Sequence, residues 1–131
     1  MSKNGKFLVV FGIIAFIGLL GVGALVIEIY KSGFWEGPDV KFGDQHLKTS
    51  VALIELHKTR FGRYPNTLRD LKYLGDWDPI HIQAVKYRTN DDGTKYCVIV
   101  VQGWIGKPDL KTSEEFWQGT GFDPSLCEAS P

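Results

Sequence analysis

Cysteine is scarce in this chain. There are two, Cys97 and Cys127, in no Cys-x-x-Cys pair and at no Cys/His spacing that suits zinc. No Gly-rich phosphate loop follows a strand-like run. No nucleophile-elbow or base spacing links the Ser, His and Asp residues. Glu114 and Glu115 are neighbours, and adjacency alone does not make a glycosidase pair. His46 and His57 stand eleven residues apart, on one side of a helix but about 16 Å from each other, too far to share a metal. His81 is alone in a loop-like stretch. Net charge is missing as well: 15 basic residues meet 15 acidic ones, so no global field draws in nucleic acid or anionic lipid. There is no internal repeat and no low-complexity segment. These absences nominate no catalytic residue, no metal ligand and no cofactor, and the expectation is a protein that is not an enzyme.

Charge of either sign is also missing from one long stretch, Phe7 to Ile27, within the apolar run FLVVFGIIAFIGLLGVGALVIEI that ends at Ile29. As a helix its 21 residues rise roughly 31 Å, close to the roughly 30 Å hydrocarbon core of a bilayer. A helix satisfies its own backbone hydrogen bonds, as lipid requires. Lys3 and Lys6 precede it, whereas Lys31 and Lys41 beyond it are balanced by Glu28, Glu36 and Asp39. That asymmetry predicts a single pass through the inner (cytoplasmic) membrane, N-terminus inside and C-terminal domain outside. A cleaved signal peptide is the rival reading, with Val22-Gly23-Ala24 as its cleavage site. Apolar residues continue through Leu25, Val26, Ile27 and Ile29, which favours an uncleaved anchor. Gly12, Ala15, Gly18, Gly21 and Ala24 recur every third residue and make a shallow groove that spirals round the helix, where another helix could approach closely. Glycine and alanine are also common in membrane helices generally.

The expected layout is a basic N-terminus at 1–6, a transmembrane helix at 7–29, a connector at 30–43 and an exported domain at 44–131. In an exported domain two cysteines most often pair. A Cys97–Cys127 bond would close a loop of about 30 residues, worth roughly 3.5 kcal/mol by chain entropy; in a cytosolic domain both would stay free thiols. Residues 32–43, SGFWEGPDVKFG, hold three glycines and a proline and read as a connector, with Phe34 and Trp35 suited to the membrane interface.

Asp44 then N-caps an amphipathic helix to Phe61, with Leu47, Val51, Ile54 and Phe61 on one face, Leu53 and Leu56 widening it, and Gly62 as its stop. Pro65 sets a turn after Tyr64. A short helix follows, capped by Asn66 or Thr67, with Leu68, Leu71 and Leu74 as its apolar row and Gly75 at its end. Asp76 to Pro79 reads as a loop. The runs 84–88 and 94–101 flank Asn90-Asp91-Asp92-Gly93 and predict an antiparallel hairpin. A third strand or a helical turn falls at 113–118, and the tail from Gly119 is loop. Lys58, Arg60, Arg63, Arg69 and Lys72 make a basic middle, and Asp109, Glu114, Glu115, Asp123 and Glu128 an acidic end; both read as solvated surface, and no nucleic-acid partner is expected. The four tryptophans, Trp35, Trp77, Trp104 and Trp117, fit either core and interface packing or a ligand platform.

This order of elements, with the block LIELHKTRFGRYPNTLRDL at 53–71, resembles the type IV pilin and type II secretion pseudopilin family. The shared features are a helix, a Gly-x-Tyr-Pro turn at Gly62 to Pro65 and a following leucine. Cys97 and Cys127 are placed like the C-terminal disulfide loop of type IV pilins. The family's leader pattern, in which an apolar run begins with an early glutamate, is replaced here by Gly5-Lys6-Phe7-Leu8-Val9-Val10. The resemblance implies an α+β fold, with the amphipathic helix packed across a small antiparallel sheet. It also implies a non-catalytic, membrane-anchored structural or assembly component of a periplasmic envelope machine. Its partners would be the membrane and other pilin-like or envelope-machine subunits, met through the anchor and the exported domain. The alternative role is a membrane-tethered extracytoplasmic ligand- or protein-binding module unrelated to secretion, with an envelope enzyme third.

Overall fold

A computed structural model of the chain describes residues 3–34, 36–75 and 78–128. The fold is mixed α+β and mostly helical. It divides into two compact units, Met1–Phe34 and Trp35–Pro131.

The first unit is one helix, α1 (Lys3–Lys31). Its segment Gly5–Lys31 has a mean hydropathy of 2.8 and is long and apolar enough to cross a membrane. Large apolar side chains from Phe7 to Tyr30 are exposed, so they need a non-aqueous surround or a partner. Termination is local. The Ser32 N–H donates to Glu28 O, the Ser32 hydroxyl donates to Ile29 O, and Gly33 takes φ 68°, the left-handed conformation that closes helices. A Cβ added at Gly12, Gly18 or Gly21 would meet no atom within 4 Å. At about 100° per residue, Gly12 and Gly21 lie on opposite sides of α1. The small residues therefore wind round the helix, and one straight neighbour can meet only part of the row.

The second unit is built on α2 (Glu36–Phe61). It starts eight residues before Asp44, so most of the expected connector is helix. Pro38 is tolerated because it sits in the first turn, where backbone N–H groups have no intrahelical acceptor. Asp44 is an interior residue paired with Lys48 at 2.6 Å. The buried residues are Asp39, Gly43, Leu47, Ser50 and Ile54, at steps of four, four, three and four, which is one helix face. The first two lie where a linker was expected.

Against that face pack Tyr64, Leu68, Leu71, Val85, Tyr96, Val98 and Val100. Each buried aliphatic side chain of this kind contributes about 1.5–3 kcal/mol. The sheet has two antiparallel strands, β1 (Val85–Thr89) and β2 (Tyr96–Val100), with Val85 opposite Val100 and Thr89 opposite Tyr96. The Asn90 carboxamide ties the turn between them: its oxygen accepts from the Thr94 and Lys95 N–H groups at 2.9 and 3.0 Å. Gly93 supplies φ 65°. Of the two readings of 113–118, the helical turn is the one that forms, as α4 (Glu114–Trp117). The third sheet partner is Phe122, in a parallel bridge with Tyr96. The Tyr96 N–H donates to Gly121 O, and the Asp123 N–H donates to Tyr96 O.

The expected leucine helix shrinks to one 3-10 turn, Leu68–Asp70. Its Thr67 N–H donates to the Asp70 carboxylate at 2.8 Å. Leu71 is already extended, at φ −65° and ψ 149°, so Leu74 ends up fully exposed while Leu68 and Leu71 are buried. A second 3-10 turn, Asp78–Ile80, leads into α3 (His81–Ala84). The chain then closes with α5 (Ser125–Glu128).

The Tyr-Pro turn acts as a clasp. Gly62 closes α2 with φ 76°. The Tyr64 N–H donates to Gly93 O at 2.8 Å, and Pro65 O accepts from the Tyr87 hydroxyl at 2.7 Å. The Tyr64 hydroxyl reaches Glu55, whose carboxylate also accepts from the Gly121 N–H. Burial, then the Glu55 charge, push the Tyr64 phenol up to about 12.

Candidate functional site

Two features frame the site, and α2 contributes to both. The first is a chain of polar groups through the core. Ser50 Oγ lies 2.7 Å from His81 Nδ1 and 2.7 Å from His46 O. Tyr73 Oη lies 3.0 Å from His81 Nε2 and 3.1 Å from Leu68 O. Each hydroxyl thus stands between an imidazole nitrogen and a backbone carbonyl, and both ring nitrogens are satisfied. Burial, then the nearby His46, hold His81 below the ordinary imidazole value. Burial also lowers His46.

A serine hydroxyl beside an imidazole has nucleophile-and-base geometry. Here Ser50 is fully buried and does not line the neighbouring cavity. The pair holds α3 against α2, and no reacting atom could be placed beside Ser50 without opening the core.

The second feature is a latch. The Asp39 carboxylate is buried and accepts the Ile105 N–H at 2.6 Å and the Gly106 N–H at 3.0 Å. These two backbone donors, Ile105 first, hold Asp39 below the usual carboxylate range. Gly103 packs flat on α2; a Cβ there would lie 2.5 Å from Asp39 O. The Gly103 N–H donates to Gly106 O at 2.6 Å, closing a tight turn. That turn presents Trp104, whose ring sits 4.6 Å from Phe42 at a 43° tilt. Trp104 nevertheless remains 53% exposed.

Between the latch and the polar chain lies a half-open cleft of about 490 Å³. Phe42 and Trp104 stand at one side. Gln45, His46, Thr49, Gln83 and Gln102 supply its hydrogen-bonding groups, and among the described residues no ionised side chain lines it. Among the described residues no cluster of three His, Cys, Asp or Glu side chains could hold a metal ion.

Cys97 and Cys127 are bonded, with Cα atoms 5.5 Å apart. Cys97 is buried on β2 and Cys127 belongs to α5, so the bond fastens the C-terminal turn to the strand. Gly12, Ala15, Gly18, Gly21 and Ala24 are all exposed on α1. The tryptophans part ways. Trp117 stacks on Phe122 at 3.7 Å and donates its indole N–H to Thr112, a packing role. Trp104 stands at the cleft. Trp35 and Trp77 lie outside the described residues.

Sequence reasoning passed over Asp39, Ser50, His81, Tyr73 and the Gly103–Gly106 turn as parts of one site. Their partners are 8 to 67 residues away, and no local pattern announces them. One signal was readable: Asp39 and Gly43 continue the spacing of Leu47 backwards through the supposed connector. No family model matches the chain, and no curated protein or solved structure matches it.

Proposed function

We propose that this protein is a membrane-anchored, non-catalytic component of an envelope assembly, with a pilin-like or pseudopilin-like exported head. The observation that carries the reading is the pairing of an exposed apolar helix with a disulfide-closed α+β unit. The helix belongs in lipid, and the disulfide belongs outside the reducing cytosol. Lys3 and Lys6 ahead of the span support an inside N-terminus and a periplasmic head in the inner membrane. The Tyr-Pro clasp and the Cys97–Cys127 loop support the pilin-like layout. On this reading the small residues of α1 and the surface of the head meet partner subunits.

Site-specific photo-crosslinking from Ala15 and Ala24 in membranes tests it. Discrete protein adducts that vanish in a Gly18→Leu, Gly21→Leu variant are the expected outcome. Adducts to lipid alone would remove the assembly role. A tethered binding module is the second reading, favoured by the cleft beside Trp104. Protease protection separates both from a cytosolic head: residues 36–128 should be shielded in closed inner-membrane vesicles with the cytoplasmic face outward.

A further inference from the structure

We infer that the cleft between α2, α3 and the Gly103–Gly106 turn binds a neutral saccharide, stacked on Trp104 and held by side-chain amides. The inference holds for an assembly subunit and for a solitary module alike.

The lining defines the ligand chemistry. Among the described residues no Asp, Glu, Lys or Arg side chain borders the cleft, so none of them compensates a charged ligand, and desolvating one would be costly. A purely apolar ligand fits no better, because seven of the eleven described lining residues, Trp104 with its indole N–H included, carry hydrogen-bonding side chains. Gln45, Gln83 and Gln102 each offer a donor pair beside an acceptor. That planar arrangement matches two vicinal hydroxyls, each of which donates and accepts. Thr49 adds a hydroxyl, and His46 and His81 are held toward the neutral form by burial. The aliphatic face of a sugar ring covers an indole as other apolar surface does, while its hydroxyl edge stays polar.

The platform is preorganised. An indole left half exposed gains little for the fold by itself. Here the backbone on both sides of Trp104 is fixed: Gly103 lies against α2, and Ile105 and Gly106 are bonded to a buried carboxylate. Phe42 backs the ring. On the opposite wall, Ser50 and Tyr73 fix the His81 ring. Rigid walls lower the ordering cost of binding.

An extended peptide is the competing occupant of a neutral, amide-rich cleft. It would bind best along a free strand edge. At this wall the Val101 and Gln102 N–H groups both donate to Ala84 O, and the other wall is helix. The cleft therefore offers side-chain groups more than backbone ones, which suits a compact polyol.

The test uses the full chain in a detergent without a sugar head group, titrated with linear oligomers of glucose and of N-acetylglucosamine. Binding is followed by tryptophan fluorescence and calorimetry, with a neutral Ser/Ala peptide of matched size in parallel. Saturable binding of one sugar series is expected, together with a change in indole emission. Trp104→Ala should weaken it by about tenfold or more, whereas Trp104→Phe, which keeps a stacking face, should retain most of it. Gln83→Ala, at an exposed position, should weaken it severalfold with unchanged thermal unfolding. No saturation with either sugar series, sugar binding indifferent to Trp104→Ala, or tighter binding of the peptide would each overturn the inference.

Discussion

Reducing the Cys97–Cys127 bond isolates one term in the stability of the head. The two cysteines are 30 residues apart in sequence. Chain entropy assigns such a cross-link about 3.6 kcal/mol at 25 °C, because the unfolded chain regains the freedom that the loop removed. A domain of this size has about 5–15 kcal/mol in all, so reduction takes a large share and leaves the fold standing only if other contacts suffice. At about 4–8 °C per kcal/mol, the melting temperature should fall by about 14–29 °C. The loss should centre on the C-terminus. Once the bond is gone, α5 is held to the strand by backbone pairing at Tyr96 and by short-range turns at 123–127. The assay is thermal unfolding of the full chain in detergent, followed by near-ultraviolet circular dichroism with and without a phosphine reductant. Cys97 is 3% exposed, so reduction needs long incubation, and thiol titration must show both sulfurs free before melting. Fully reduced protein that melts within a few degrees of the oxidised form would refute the reasoning. So would two reactive thiols in the untreated protein.

Gly103→Ala should destabilise the head by about 1–3 kcal/mol, because its methyl would lie 2.5 Å from the Asp39 carbonyl oxygen; urea unfolding reads it, and an unchanged midpoint would mean the turn does not pack on α2. Tyr96→Phe should leave stability unchanged or raise it by about 1 kcal/mol, since among the described residues no group meets that buried hydroxyl at hydrogen-bond geometry, although Glu55 and Thr120 lie near it; a clear loss in the same assay would reveal a hydrogen bond to one of them. His81 and His46 are both held below their ordinary 6.5 in the fold. The unfolded chain therefore binds protons first, and stability should be full above about pH 6.5 and decline as the pH falls below it. A His81→Gln variant should flatten that decline between pH 7 and 5 in thermal melts, and a wild-type melting temperature flat across the same range would contradict it.

Where a rule of structure is local, the sequence was readable. The apolar span, the stripe of Leu47, Val51 and Ile54, the Asn90–Gly93 hairpin and the stop at Gly62 all follow from neighbours within a few residues. Expectation failed where a distant contact overrode a local signal. Gly37, Pro38 and Gly43 look like a linker because each lowers helix propensity. Yet Gly43 is glycine because Pro108 packs there, 2.4 Å from where a Cβ would be, and helix forms through it. The row Leu68, Leu71, Leu74 has helical spacing, but only the first two find the core, and the chain extends after one turn. The candidate site was the least legible part. Trp104 was visible as one of four tryptophans that fit either packing or a ligand platform, with no local signal to single it out. Its significance comes from Asp39, a residue 65 positions earlier, which read only as one of the acids that balance Lys31 and Lys41 beyond the apolar span.

The disulfide has one more consequence, for the covalent life of the molecule. Cys97 and Cys127 enclose an exposed stretch, 111–115, of the kind proteases cut first. A single cut there opens the backbone but releases nothing, because the two new ends stay joined through sulfur. Such a nicked head would migrate as one piece until reduced, then as two. A cut between α1 and α2 has the opposite result. It separates the whole second unit from α1 with the ring intact, so the same chain can endure one wound in one piece and be divided by another.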